Sequence, residues 1–303
     1  MAFPNIFRNQ VFWLVRKSIA DYVDDDALIR GAAIAYYAVT SLAPLLLIVI
    51  AIGGLLFGED AARGAITHQV GDLMGKPSAA LLERVVLSAA NPSSGMAASL
   101  VGITTLVVMA SGVFGEMQSA LNAIWRARPR GTTLSRLVRA RLTSLGLVAA
   151  LGFLLLVSLV VSAGLTALAD VVDRVLPYGA LILEGVNALV SFAFVAGLFA
   201  AIYKALPDRD LALRDVAVGA AVTALLFTIG KSLLGLYLGS SNMASSYGAA
   251  GGLIILLVWI YYSAQIFLLG AEFTKAYATR FGSFRDASCD GVSRPNATAD
   301  DGR

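Results

Sequence analysis

The stretch from Leu142 to Ala169, LTSLGLVAALGFLLLVSLVVSAGLTALA, runs for 28 residues between Arg141 and Asp170 without a charged side chain. A helix rises about 1.5 Å per residue and a bilayer's hydrocarbon core is about 30 Å thick, so about 20 apolar residues suffice to cross it. A helix also pairs its own backbone groups where no water is available to do so. The interval between Arg84 and Glu116, equally free of charge, repeats the signature. Working outward, six stretches qualify as spans: 32–57, 98–122, 142–168, 180–203, 216–238 and 249–274. The expected fold class is all-α, a polytopic integral membrane protein with six transmembrane helices.

Composition agrees. Of 303 residues 58% are apolar and only 14% charged, against about 25% charged in an ordinary soluble domain. Mean hydropathy is +0.77. One Cys and one His exclude a disulfide scaffold and a structural zinc module.

Orientation follows from Lys and Arg, which cytoplasmic loops retain. The N-terminal arm holds Arg8, Arg16, Lys17 and Arg30. The loop after span two holds Arg126, Arg128, Arg130, Arg136, Arg139 and Arg141. Lys204, Arg209 and Arg214 follow span four, and Lys275, Arg280, Arg285, Arg294 and Arg303 lie at the C-terminal end. These make eighteen on one side, against Arg63, Lys76, Arg84 and Arg174 on the other. Both termini are expected in the cytoplasm. The first 30 residues lack the apolar core of a secretory signal, so span one itself directs insertion. Arg outnumbers Lys eighteen to five and the loops are short, which suits a bacterial inner membrane.

Three regions follow: a cytoplasmic arm (1–30), the six-helix membrane domain (31–279, including an external segment 58–97), and a polar, disordered cytoplasmic tail (280–303). In the arm, Ile6, Phe7, Val11, Leu14, Val15 and Ile19 form a helical stripe beside Arg8, Arg16 and Lys17, with Trp13 suited to headgroup level. This predicts an amphipathic helix on the inner surface. Asp24, Asp25 and Asp26 suit the N-terminal cap of the next helix. Read as a cation site they are poor, because adjacent carboxylates point different ways. In the external segment, Ile66, Val70, Leu73 and Met74 share one helical face and Leu81, Leu82, Val85, Val86 and Ala89 another, with Ser78 a good N-cap between them. His68 has no second His or Cys to make it a ligand, Cys289 is a lone thiol, and Asn296 lies on the wrong side for glycosylation.

Ionisable groups inside spans are costly and are usually paired or functional. Lys231 lies within about 10 Å of the outer boundary, near enough to snorkel, and Glu184 stands at a similar level. An anchoring ion pair and a place on a transport path both fit it. Glu116 is about 15 Å from the basic loop. Ser111, Gly115, Gln118 and Asn122 form a polar stripe on that helix, and Glu116 lies about 130° round from it. Glu116 reads either as a buried hydrogen-bonded carboxyl or as a proton or cation relay. On span six, Tyr261, Tyr262, Gln265 and Glu272 share one side, with Glu272 near the inner boundary, where an i,i+3 ion pair with Lys275 explains it without invoking function. Gln265 needs a helix neighbour or a wet cavity, since lipid would leave its donors unmet. On span one, Pro44 follows Tyr37, Thr40 and Ser41 and frees a carbonyl. Gly235 with Gly239, and Gly248 with Gly252, read as close packing of spans five and six.

The run Gly31-Ala32-Ala33-Ile34-Ala35-Tyr36-Tyr37-Ala38-Val39-Thr40-Ser41-Leu42-Ala43-Pro44-Leu45 resembles the first-span motif of the BrkB/YihY family of bacterial inner membrane proteins. So do Leu121-Asn122-Ala123-Ile124-Trp125, then Gly219-Ala220 leading to Gly230-Lys231 and Leu236-Tyr237, and Tyr247-Gly248 through Trp259-Ile260-Tyr261 to Leu269-Gly270-Ala271-Glu272. The resemblance covers about residues 28–278. It implies six spans and a link, in some members, to virulence and serum resistance; older records label the family ribonuclease BN. Its polar motif positions here are Tyr37, Ser41, Pro44, Asn122, Lys231, Tyr247 and Glu272.

Phosphodiester hydrolysis ordinarily needs a metal-binding carboxylate or histidine cluster, or a His pair. The sequence offers neither, so no enzyme, cofactor or metal site is expected. Two function classes stand. One is a transporter or lipid/ion-handling protein with a polar path among spans one, two, five and six, through Tyr37, Ser41, Pro44, Glu116, Asn122, Lys231, Gln265 and Glu272. The other is a structural or regulatory membrane component. Membrane lipids are the expected partners, with anionic lipid contact at the Arg126–Arg141 loop, no nucleic acid, and self-association left open.

Overall fold

The computed structural model describes residues 3–58, 60, 63–64, 67, 79–80, 82–84, 112–127, 179–240 and 249–284. Expectations for span three, for the basic loop beyond Ala127, for His68, Tyr247 and Cys289 fall outside them. Every regular element among the described residues is helical: α1 (Phe3–Asp24), α2 (Ala27–Phe57), α3 (112–124), α4 (Gly179–Ala205), α5 (Leu213–Ser240) and α6 (Ala249–Arg280). Three of these are long and apolar enough to cross a membrane, over Gly185–Ala205, Leu213–Tyr237 and Gly251–Arg280. They coincide with the fourth, fifth and sixth stretches read from sequence. α2 runs unbroken through Pro44.

α6 is the hub, packing against α1, α2 and α5, while α4 lies on α5. Two interfaces explain how the helices approach so closely. On α5 and α6, Gly219 faces Thr274 and Gly270 faces Thr223 and the Tyr203 hydroxyl, so a Cβ on either glycine would collide with its neighbour. Both threonines satisfy their hydroxyls within their own helix, Thr223 donating to the Gly219 carbonyl and Thr274 to that of Gly270, each at 2.7 Å. Small residues and back-bonded hydroxyls let apolar helices meet without leaving polar atoms bare. On α2 and α6, Gly31 receives the Gln265 amide in the space a Cβ would fill.

Aromatic rings close the centre of the α4–α5–α6 group. Phe199, Tyr203 and Phe267 stack, Phe227 meets Phe199 edge-on, and Trp259 meets Phe227 in the same way. The buried Tyr203 hydroxyl donates to the Phe267 carbonyl at 2.7 Å and lies 3.1 Å from Thr223 Oγ1, so this core polar group is satisfied. At the other end, Ile50, Leu82 and Leu256 form a small second cluster, which fastens part of the 58–97 segment to α2 and α6.

The expected acidic cap of α2 is not formed by its N-cap residue. Asp26 sits in the left-handed region (φ 54°) and makes no side-chain capping bond. The turn is held instead by the backbone, with Ile29 and Arg30 N–H groups on the Asp26 carbonyl and Arg30 Nε on that of Asp25. Asp25 is drawn to a lysine on α6, a stronger partner than helix-end amides. Residues 281–284, assigned by sequence to the tail, turn back onto the bundle. Asp215, buried in the first turn of α5, accepts from Ser283 N at 2.9 Å and Ser283 Oγ at 2.7 Å.

Candidate functional site

The polar residues converge at one end of the bundle, where the α1–α2 turn, the end of α3, the α4–α5 loop and the end of α6 meet. α3 stops at Arg126, whose left-handed backbone (φ 47°) sends Arg126 N–H to the Ala123 carbonyl and Ala127 N–H to that of Asn122. This is a Schellman ending made without the usual glycine. It leaves Asn122 facing the α4–α5 loop, where its Nδ2 donates to Asp208 Oδ2 at 2.9 Å and its Oδ1 accepts from Asp208 N at 2.8 Å. Arg209 then donates to the Trp125 carbonyl at 2.7 Å and lies 4.3 Å from the centroid of Phe284.

Beside this clamp lies a carboxylate–lysine cluster. Lys275 Nζ is 2.9 Å from Asp25 Oδ2, 3.1 Å from Glu272 Oε2 and 3.7 Å from Asp21 Oδ2. Lys17 Nζ lies 2.5 Å from Asp21 Oδ1. The Glu272 side chain has 0% exposure, and its Oε1 has no hydrogen-bond partner among the described residues. Partial burial on its own would raise the Asp25 carboxyl, but hydrogen bonding with Lys275 and Glu272 and the charges of Lys275 and Arg126 hold it below the usual carboxylate value. Two turns further along α6, the Tyr22 hydroxyl donates to Gln265 Oε1, and Gln265 Nε2 reaches the Leu28 carbonyl at 3.4 Å. Burial, with the nearby Tyr261, pushes the Tyr22 phenol up to about 12.

α1 thus docks with Leu14, Ser18 and Asp21 turned inward, while Val11, Phe12, Val15, Ile19 and Val23 stay exposed. Between α1 and the clamp lies a cavity of about 360 Å³, lined by Trp13, Lys17, Trp125, Arg126, Arg209 and Lys275 among others.

Of the residues singled out from sequence, Gln265 and Glu272 are brought together under α1, and Asn122 joins the neighbouring clamp. Ser41 is buried and donates to the Ala38 carbonyl. Tyr37 is exposed, its ring beside Gly112 of α3, so α2 and α3 touch there. Glu116 is half-buried on α3 and makes no hydrogen bond or ion pair among the described residues. Lys231 is exposed on α5, away from the cluster, and the side chains of Glu184 and Pro44 lie outside those described. The sequence reading did not select Asp21, Asp25, Lys17, Trp125 or Arg209. A signal for the first two was present: Leu14, Ser18, Asp21 and Asp25 recur at helical spacing on one face of the arm.

The long apolar helices and a charged cluster gathered at one end define a membrane protein. A family profile described as Virulence factor BrkB matches residues 18–290, and the chain belongs to that family, BrkB/YihY. It is 29% identical over 263 residues to a UPF0761 membrane protein of Alteromonas mediterranea, covering 85% of each chain. It is 32% identical over 252 residues to one from Ralstonia nicotianae, covering 82% of this chain and 55% of that one. YfkH of Bacillus subtilis, named ribonuclease-like, is 28% identical over 270 residues, covering 85% of this chain and 92% of its own. No solved structure matches.

Proposed function

We propose that the chain is a six-span protein of the bacterial inner membrane, with both termini cytoplasmic, which conducts or handles an ion or lipid and is not an enzyme. The topology draws support from where the described segments meet. Asp25, Trp125, Arg209 and Phe284 sit at one end of the bundle. α4 ends at that same end, so Ala127 and Gly179 lie at opposite ends and an odd number of crossings separates them. Span three, read from 142–168, supplies one. The end where these segments meet holds Lys17, Arg126, Arg209, Lys275 and Arg280, all from the Lys- and Arg-rich side that the orientation rule assigns to the cytoplasm.

The observation that carries the function is Glu272, a fully buried carboxylate with an unpartnered oxygen on a helix long enough to span. Such a group is expensive, and function is its default explanation. α5 and α6 are closed on each other by Gly219–Thr274 and Gly270–Thr223. The route therefore runs among α2, α3 and α6, past Tyr37, Glu116 and Gln265 to Glu272, with α1 over its inner mouth. The reading as a non-enzyme rests on the sequence, which has one His and no metal-binding motif of the kind phosphodiester hydrolysis ordinarily uses.

The test is flux of candidate cations and of labelled lipids in proteoliposomes holding wild-type, E272Q or E116Q protein. Wild-type flux reduced at least about tenfold by E272Q, the effect of a single lost charge-assisted contact, is the expected result. Flux equal in wild type and E272Q overturns the role of Glu272. Absence of wild-type flux for every candidate favours the second reading, a structural or regulatory membrane component, which the tight α5–α6 packing also suits.

A further inference from the structure

The cavity between α1 and the Asn122–Asp208 clamp carries chemistry that the route past Glu272 does not use. Four cations line it, Lys17, Arg126, Arg209 and Lys275, against one carboxylate, Asp21. Lys17 and Lys275 are engaged by carboxylates, whereas Arg126, though its charge acts on Asp25, and Arg209 have no carboxylate within ion-pair distance among the described residues. Arg209 is positioned by the Trp125 carbonyl and the Phe284 ring, which leaves further N–H groups to donate. Trp125, 3% exposed, also lines the cavity, and its indole N–H is buried with no acceptor among the described residues. An unsatisfied buried donor on a residue that lines the same cavity as two guanidinium groups asks for an anion with several acceptor oxygens, and phosphate geometry suits guanidinium in particular.

We propose that this cavity is a binding site for a phosphate-bearing anion, held by Arg126, Arg209 and the Trp125 N–H. It deepens the lipid-handling reading above and rests on its membrane orientation. The source favoured is a lipid headgroup of the cytoplasmic leaflet. Trp13 and Lys17 line the cavity from the same helix whose opposite face exposes Val11, Phe12, Val15 and Ile19, the pattern of a helix seated at the boundary between headgroups and acyl chains. Trp13 further carries Arg280 over its ring at 4.1 Å, fixing α1 against the end of α6.

The full chain, purified in uncharged detergent, is titrated with dihexanoyl phosphatidylglycerol, with dihexanoyl phosphatidylcholine and with inorganic phosphate, following tryptophan fluorescence. Two of the three tryptophans line the cavity. The expected result is a saturable response to phosphatidylglycerol, weakened about tenfold in R126Q and in W125F, the size of one charge-assisted hydrogen bond, and weaker at high salt. Arg126 is exposed and makes no hydrogen bond through its side chain among the described residues, so R126Q is expected to keep the fold; W125F replaces the indole by a smaller aromatic ring and removes the N–H. Saturation by inorganic phosphate at comparable concentration upholds the site and assigns it to a soluble anion. Phosphatidylcholine binding as well as phosphatidylglycerol, no saturable response to either anion, or R126Q and W125F both behaving as wild type overturns the proposal. Binding without flux would leave this site standing while the transport reading fails, and flux without binding the reverse.

Discussion

Lys275 Nζ and Asp25 Oδ2 lie 2.9 Å apart across 250 residues of sequence, and this pair fastens the α1–α2 turn to the end of α6. The same ammonium serves Glu272, whose carboxylate has no exposed surface. Removing one partner of a buried ion pair strands the other and costs about 3–5 kcal/mol. Accordingly K275A should lower stability by that order in detergent unfolding, and E272Q added to K275A should recover part of the loss. If the double variant is no more stable than K275A, Lys275 does not serve to neutralise Glu272.

The acid limb of stability follows from Asp25. Its carboxyl titrates below the usual value in the fold, whereas in the unfolded chain it returns to about 3.9. The folded state therefore binds this proton less readily than the unfolded one. The stabilisation is fully present above about pH 4 and is lost as pH falls through the lower folded value. Tyr22 has the opposite sign: with its phenol pushed up to about 12, its contribution is present below about pH 10 and is lost as pH rises through the folded value. The measurement is unfolding against pH for wild type, D25N and Y22F. D25N should flatten the acid limb alone and Y22F the alkaline limb alone; an acid limb unchanged by D25N would refute the assignment.

Gly31 admits the Gln265 amide where a side chain would stand. G31A forces that amide or the whole of α6 to shift, and overpacking of this kind costs about 1–3 kcal/mol. Because Gln265 is the colliding group, Q265A should relieve most of the penalty, so G31A/Q265A should be less destabilised than the two single effects summed. Strict additivity in the thermal unfolding of the four proteins would show that the two residues do not meet.

Three of the six spans were legible because long apolar runs with few charges have one comfortable environment, and α4, α5 and α6 fall where three such runs lie. The Glu272–Lys275 pair was legible for a local reason, since its two members stand three residues apart on one helix. The site was less so. Asp21 and Asp25 look like ordinary helix-end acids until α1 is laid along α6, and their partner is set by tertiary docking rather than spacing. Arg209 and Trp125 belong to different loops and meet through a main-chain carbonyl, which carries no mark in the sequence. Asn122 belonged to a recognised motif, but its role as a clamp needs Asp208, 86 residues away.

That clamp gives the most discriminating experiment at the basic end. Asn122 both donates to the Asp208 carboxylate and accepts from the Asp208 backbone N–H. N122A removes both bonds and leaves a half-buried carboxylate with fewer donors, a cost of about 1–3 kcal/mol. N122D keeps the shape and the accepting oxygen but sets one carboxylate against another, so it should be at least as damaging as N122A at neutral pH. Adding D208N to N122D reverses the polarity of the side-chain bond: the new amide at 208 donates to the new carboxylate at 122, and the backbone N–H at 208 still has its acceptor. The exchanged pair should therefore approach wild-type stability although each single change is destabilising. Failure of the exchange to recover anything beyond N122D, read by unfolding in detergent, would mean that this contact does not hold the α4–α5 loop against α3.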